Sequence, residues 1–453
     1  MKSINPATGA LIKEYSPHTH EQIEAALAKA QSCFAEWRTV GIEKRAALMK
    51  KAGTILRERK AHLADLMADE MGKILKDGVA EIEKCAGVCD YYADNAGAML
   101  KDESIKTEAE SSFVTYQPLG AILAVMPWNF PFWQVFRFAA PNLMAGNVGV
   151  LKHASNVSGC ALAIEEIFRD AGFPEGAFTT LLVAGKDTEK LIEHKAIAAV
   201  TLTGSGDAGR AVAAKAGAAL KKTVLELGGS DAYVVLADAD VKHAAEECAK
   251  SRLINTGQSC VAAKRFIVLA PVIREFEKHF IAYFKTIRMG NPKAKDTQMG
   301  PMARTDLRDT LHEQLQKSIV KGAKLALGGE IPKGDGAFYP PTVLTGVKPG
   351  MPAFDEELFG PVAAIIEAKD EKEAFALANA STLGLGSALF TSNIARGTEL
   401  ARTAFDAGQT FVNCFVKSDA RLPFGGVKES GYGRELGLPA LREFVNAKTV
   451  YVA

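Results

Sequence analysis

No stretch of this chain approaches the roughly 18 consecutive apolar residues that crossing a bilayer requires. The opening residues, Met1-Lys2-Ser3-Ile4-Asn5-Pro6, lack the apolar segment of a secretory leader. No charge of one sign dominates: 54 basic side chains stand against 53 acidic ones. Nucleic acid and membranes are therefore not expected partners. Cysteine is scarce and odd in number, seven in 453 residues. That excludes a disulfide scaffold and points to reduced thiols and a cytoplasmic setting. The eight histidines form no H-x-x-x-H pair or acid-rich cluster, so no metal site is expected. Ser- or Pro-rich linkers, repeats and low-complexity tracts are missing as well. What is present is a chain long enough for two or three domains around a large core.

From Glu21 to about Met99 the pattern is helical, with Thr19 and Gln22 at capping-box spacing and breaks near Gly41 and Gly72. Residues 112–116 read as a strand and 121–126 as a more buried one. Beyond them, apolar runs at 148–151, 179–183 and 197–202 alternate with helices near 159–171, 186–194 and 207–219. Such alternation implies βαβ units and a parallel sheet covered on both faces. A second α/β block follows Gly229, with strands at 232–236 and 265–269 and a helix at 272–288. Residues 448–452 form a strand-like terminus.

Two chemical features stand out. Thr203-Gly204-Ser205-Gly206-Asp207-Ala208-Gly209 matches G-x-G-x-x-G between a strand and a helix. There, bare backbone and helix N-terminal amides favour a pyrophosphate. A plain glycine-rich turn is the bland alternative. Downstream, Glu226 lies in Leu225-Glu226-Leu227-Gly228-Gly229, and Cys260 ends Gly257-Gln258-Ser259-Cys260. Spacing alone gives Glu226 to a ribose, as the acid about 20 residues past the glycines. The nearby cysteine suggests instead that Glu226 is a base and Cys260 a nucleophile. A structural ion pair for Glu226 and a buried inert thiol for Cys260 are the alternatives. Cys85 and Cys89, four apart on a helix, read as core packing.

The ordered set of motifs resembles the aldehyde dehydrogenase superfamily over almost the whole chain. It runs Pro127-Trp128-Asn129-Phe130-Pro131, Leu151-Lys152, the glycine turn, Glu226-Leu227-Gly228-Gly229, Gly257-Gln258-Ser259-Cys260, Glu356-Glu357-Leu358-Phe359-Gly360-Pro361 and Pro423-Phe424-Gly425-Gly426. The resemblance implies an α/β fold with a Rossmann-type cofactor domain at 1–102 and 119–228. It also implies a catalytic domain at 229–426 and a small β oligomerisation element at 103–118 and 427–453. The final strand is expected to pair with the 103–118 excursion across subunits of a homodimer or homotetramer. Cys260 would attack an aldehyde carbon, Asn129 would donate to the oxyanion, and Glu226 would activate the hydrolytic water. The resemblance places NAD or NADP against Trp128, Lys152, His153, Ala154, Ser155, Gly204, Ser205, Leu227, Glu357 and Phe359. Ser155 stands where NAD-preferring members carry a glutamate; a serine does not repel a 2′-phosphate, so both cofactors are expected.

Within the superfamily, the chain is most similar to succinate semialdehyde dehydrogenases. Arg137 matches an arginine of that group, and a guanidinium suits a distal carboxylate. The alternative is a structural arginine on a helix, bonded to an acid. Ser418 and Phe424 are the other expected substrate contacts. Ile254 departs from the group's pattern, because some members have a second arginine there. The expected partner is therefore a small aldehyde with a distal carboxylate. Rival readings are an aminoaldehyde or other semialdehyde dehydrogenase, an acyl transfer to coenzyme A (which Glu226 opposes), and a cofactor binder without turnover.

Overall fold

The computed structural model describes residues 1–453. Three helices lead the chain: His20–Trp37, Ile42–Met71 and Leu75–Met99. The first begins in a reciprocal cap. Thr19 Oγ1 accepts from the Gln22 N–H at 3.3 Å, and Gln22 Oε1 accepts from the Thr19 N–H at 2.8 Å. Gly72 stops the second helix in the left-handed region, with φ 78°. Two short strands, Lys2–Ile4 and Leu11–Glu14, pair antiparallel near the N-terminus. Their residues are mostly exposed, so they carry little apolar pattern.

The first large sheet has the order Gly431–Tyr432, Lys222–Glu226, Ile197–Thr203, Ala121–Met126, Val148–His153, Phe178–Thr180. From Ala121–Met126 the chain winds outward through two strands, then returns to build the other side. Where winding reverses, loops leaving the carboxyl ends of adjacent strands diverge and open a crevice. Those loops are Pro127–Pro131, after the central strand, and Gly204–Ser205, after its neighbour.

The second sheet has seven strands in the order Lys324–Leu327, Thr342–Thr345, Val362–Ala368, Arg265–Leu269, Ala232–Val235, Gly386–Phe390, Gln409–Val412. All its pairings are parallel except that of Lys324–Leu327. Ala232 and Val234 enter one core while Tyr233 and Val235 enter the other. Burial on both faces explains why this strand reads as an unbroken apolar run.

A third sheet joins Glu103–Ser104, Ser111–Pro118 and Val445–Val452. Val445 pairs with Pro118 and Val452 with Ser111, antiparallel and inside one chain. This corrects the expected pairing of the last strand across subunits: the turn through Phe444 returns the chain directly onto its own excursion. The segment before it is also divided. Val427–Lys428 pairs with Leu383–Gly384, and Gly431–Tyr432 pairs with Lys222–Glu226 in the first sheet. This return carries Glu435 into the interior. No helix is long and apolar enough to cross a membrane.

Candidate active site

A cleft of about 270 Å³ occupies the crevice, and Trp128, Asn129, Thr203, Gly204, Ser205, Leu227, Cys260, Glu357 and Phe359 are among its walls. The Cys260 loop enters from the second sheet, between helix Val241–Leu253 and strand Arg265–Leu269. Asn255, Thr256 and Gly257 are all left-handed, with φ 53°, 57° and 74°. For the two non-glycines this strain costs about 1–3 kcal/mol each and must be offset by the surroundings. Asn255 Nδ2 donates to the carbonyls of Asn129 at 2.7 Å and Gln258 at 3.2 Å. The Arg252 guanidinium donates to the Gly257 carbonyl. A Cβ on Gly257 would lie 2.2 Å from the Gly360 carbonyl, so this glycine is what lets the loop meet the Phe359-Gly360-Pro361 motif.

Lys264 fixes the end of the loop. Its fully buried ammonium donates to the carbonyls of Ser259 at 2.8 Å and Cys260 at 2.7 Å, and lies 3.2 Å from Glu357 Oε1. Asn129 Nδ2 donates to the Gln258 carbonyl at 3.0 Å. A carboxamide has two N–H groups, so one stays available beside Cys260. Cys260 as a residue is partly exposed, while its sulfur is enclosed by the cleft wall. Burial pushes its thiol up to about 12, against the pull of Arg137 and Lys264. The resting thiol is therefore protonated at neutral pH.

Glu226 ends its strand 2 % exposed, and neither carboxylate oxygen has a hydrogen-bond partner. Burial holds this carboxyl well above its ordinary range; Arg137 opposes the shift and Glu435 adds to it. A Cβ on Gly425 would sit 2.7 Å from Glu226 Oε1, so the bare glycine makes the room. Both alternatives for Glu226 meet a physical test here: it pairs with no protein cation, and it is enclosed rather than offered on the surface.

The expected cofactor residues separate by surroundings. Lys152, next to last in the strand Val148–His153, is half-buried and without an ion pair, its ammonium lowered by burial. Ala154 is half-buried and Ser155 exposed beyond it. His153 requires a correction. Its ring is buried, with Nε2 2.9 Å from the Pro131 carbonyl and Nδ1 accepting from the Ala154 N–H at 2.9 Å. Burial lowers it to about 4, so a neutral ring fastens the Pro127–Pro131 loop and leaves no nitrogen for a cofactor. Ser205 Oγ caps the next helix by accepting from the Ala208 N–H at 3.3 Å. A Cβ on Gly204 would make only ordinary contact, with Leu202 at 3.7 Å, whereas one on Gly209 would meet Leu227 at 2.6 Å. Trp128 and Phe359 meet edge to face at 5.8 Å. Open glycine backbone at a helix start and an unpaired half-buried lysine fit a dinucleotide. Glu357 is 3.1 Å from the Gly229 N–H.

Residues 1–450 match the model of the aldehyde dehydrogenase family. The chain belongs to the aldehyde dehydrogenase family. It is 49 % identical over 451 residues to a Synechocystis protein named a probable succinate-semialdehyde dehydrogenase (NADP+), covering 100 % of this chain and 99 % of the relative. It is 47 % identical over 449 residues to a succinate semialdehyde dehydrogenase (NAD(P)+) of Escherichia coli, covering 99 % and 97 %. The crystal structure of a Streptococcus pyogenes succinic semialdehyde dehydrogenase with NADP+ superposes with a TM-score of 0.97 at 36 % identity, covering 100 % and 99 %.

In this aldehyde dehydrogenase the expected substrate residues are not gathered at one point. Arg137 is 2 % exposed on helix Trp133–Ala145. Its Nε pairs with the Glu435 carboxylate, Nη2 donates to Thr203 Oγ1 at 3.3 Å, and the guanidinium lies 4.5 Å over the buried Phe424 ring. The expectation of a cation presented to substrate is corrected: the charge already faces Glu435, and at Glu226 it only opposes the rise that burial causes. The structural alternative for Arg137 describes what is seen. Ser418 is half-buried and accepts from Lys84 Nζ at 2.6 Å. Lys264, Glu435 and Lys84 escaped the sequence reading. A lysine four residues past a cysteine, or a glutamate after a glycine turn, carries no local signal; only Arg434-Glu435, charged amid glycines, hinted at a special position.

Proposed function

We propose that this chain oxidises succinate semialdehyde to succinate with NAD or NADP. The observation that carries it is the convergence, on one cleft, of the Cys260 thiol and a spare Asn129 amide donor, with the buried, unpartnered Glu226 carboxylate next in sequence to the wall residue Leu227. The full-length likeness to succinate semialdehyde dehydrogenases supports the substrate. The Cys260 thiol gives its proton to solvent water as Sγ bonds to the aldehyde carbon, and the C=O π pair moves onto the carbonyl oxygen, whose negative charge faces the free Asn129 N–H. One such donor contributes about 3 kcal/mol in the transition state. A bound nicotinamide dinucleotide supplies the hydride acceptor. Gly204 and Ser205 offer backbone to its phosphates, Lys152 and Glu357 serve as ribose partners, and Trp128 and Phe359 close the cleft around it. Loss of hydride leaves a thioester on Cys260. Glu226 then takes a proton from water, whose oxygen attacks the thioester carbon. The C–S bond breaks, the sulfur regains its proton, and the acid leaves.

Uncharged Ser155 supports acceptance of NADP as well as NAD. The decisive measurement is kcat/KM for succinate semialdehyde against butanal, with each cofactor. A charged contact of about 2 kcal/mol predicts roughly a thirtyfold preference for the semialdehyde. Equal values would overturn the substrate, and strict refusal of NADP would overturn the inference from Ser155. Intact mass spectrometry of Glu226→Gln after reaction is expected to show an acyl adduct that Cys260→Ser lacks.

A further inference from the structure

Helix Leu75–Met99 packs against helix Trp133–Ala145 and places two charges three residues apart on one face, Glu81 and Lys84. Glu81 is fully engaged. One oxygen accepts from the N–H groups of Phe132 and Trp133, each at 2.9 Å, and the other pairs with Lys73. Lys84 is not. Its Nζ donates to Ser418 Oγ at 2.6 Å and lies 4.2 Å over the Trp133 ring, and no carboxylate pairs with it. Asp419, the acid next to Ser418, is held by Arg421 at 2.7 and 2.8 Å and lowered to about 2. Asp77 lies two turns back on the helix, beside Lys73.

Lys84, Phe130, Trp133 and Asn255 border a second cavity of about 250 Å³, whose wall also carries the paired Lys73 and Glu81 and, beside them, Asp77. Asn255 hydrogen-bonds Asn129, which also walls the Cys260 cleft. The two cavities thus adjoin through these asparagines, one toward the dinucleotide residues and one toward Lys84.

We infer that Lys84, positioned by Ser418, is the cation that binds the distal carboxylate of the substrate. The ammonium offers its unused N–H, while Ser418 accepts from the lysine. Trp133 holds the cation in place through its ring face. Burial and the nearby Arg137 lower Lys84 to about 8; an arriving carboxylate reverses that cost. The same ammonium repels an aminoaldehyde. This inference rests on the semialdehyde reading of the cleft.

The test compares wild type, Lys84→Met and Lys84→Arg at saturating cofactor. The ratio of KM for succinate semialdehyde to KM for butanal is expected to rise at least about tenfold in Lys84→Met, roughly 1.4 kcal/mol. The kcat for the semialdehyde should move less than KM, and Lys84→Arg should recover most of the ratio. A ratio within about twofold of wild type in a folded Lys84→Met protein overturns the subsite. Lys84→Gln replaces the methionine variant if melting curves show it unfolded. Should wild type not prefer the semialdehyde, the substrate reading fails by itself. Inhibition of butanal oxidation by succinate then decides on Lys84: weaker inhibition in Lys84→Met supports a carboxylate site, and equal inhibition removes it.

Discussion

The Gly204–Ser205 turn and the Asn255–Cys260 loop face each other across one cleft and are built on opposite principles. The turn is shaped by missing side chains. A Cβ on Gly204 would meet only Leu202 at 3.7 Å and Ala208 at 3.9 Å, and Ser205 makes an ordinary helix cap. The loop is shaped by buried polar bonds that hold a strained backbone, with Lys264, Arg252 and Asn255 as its fasteners. Damage to the turn should therefore cost ligand affinity with little stability. Damage to the loop should cost both.

The largest effect is expected at Lys264. Lys264→Met strands two carbonyls and the Glu357 carboxylate, and breaking a buried pair from one side costs about 3–5 kcal/mol. Urea denaturation measures it; a loss below about 1 kcal/mol would show that the loop holds its shape without this cation. Asn255→Ala removes both hydrogen bonds and the residue type that best tolerates the left-handed region. About 2–3 kcal/mol of stability and a fall in kcat larger than any change in cofactor KM are expected.

The two glycines of the turn sharpen the contrast. Gly209→Ala drives a methyl into Leu227 and should cost about 1–3 kcal/mol. Gly204→Ala should stay within about 0.5 kcal/mol of wild type, yet raise KM for the dinucleotide. Equal destabilisation by both would erase the distinction between a packing glycine and a ligand glycine.

The smallest effect concerns Glu226. Its folded carboxyl holds its proton more tightly than the unfolded one, so wild-type stability falls as pH rises from the ordinary carboxylate range through the raised folded value. Glutamine does not titrate. Glu226→Gln should melt higher than wild type at pH 8, with the gap closing toward pH 4. A gap that widens on acidification would mean that Arg137 governs this carboxyl, not burial.

Much of the fold was legible because its signals are local. The strands Ala121–Met126 and Arg265–Leu269 announce themselves as buried apolar runs. Gly41 and Gly72 mark helix boundaries, and Thr19 with Gln22 marks a helix start. The N-terminal pair of strands was not legible, since its exposed residues lack alternation. At the site, Cys260, Glu226 and Asn129 stood out through their motifs. Arg137 shows the limit of that method: a motif position fixes which residue is present, not which carboxylate it meets. His153 shows the same limit, because the carbonyl its Nε2 meets belongs to Pro131, 22 residues earlier.

From residue order alone came the α/β alternation, the glycine turn and the reactive groups, all written within short windows of sequence. Tertiary structure alone decided which charges are matched. Glu435 reaches Arg137 from 298 positions away and Ser418 reaches Lys84 from 334. Electrostatic energy depends on distance and burial in space, and neither is set until the chain has closed its long loops.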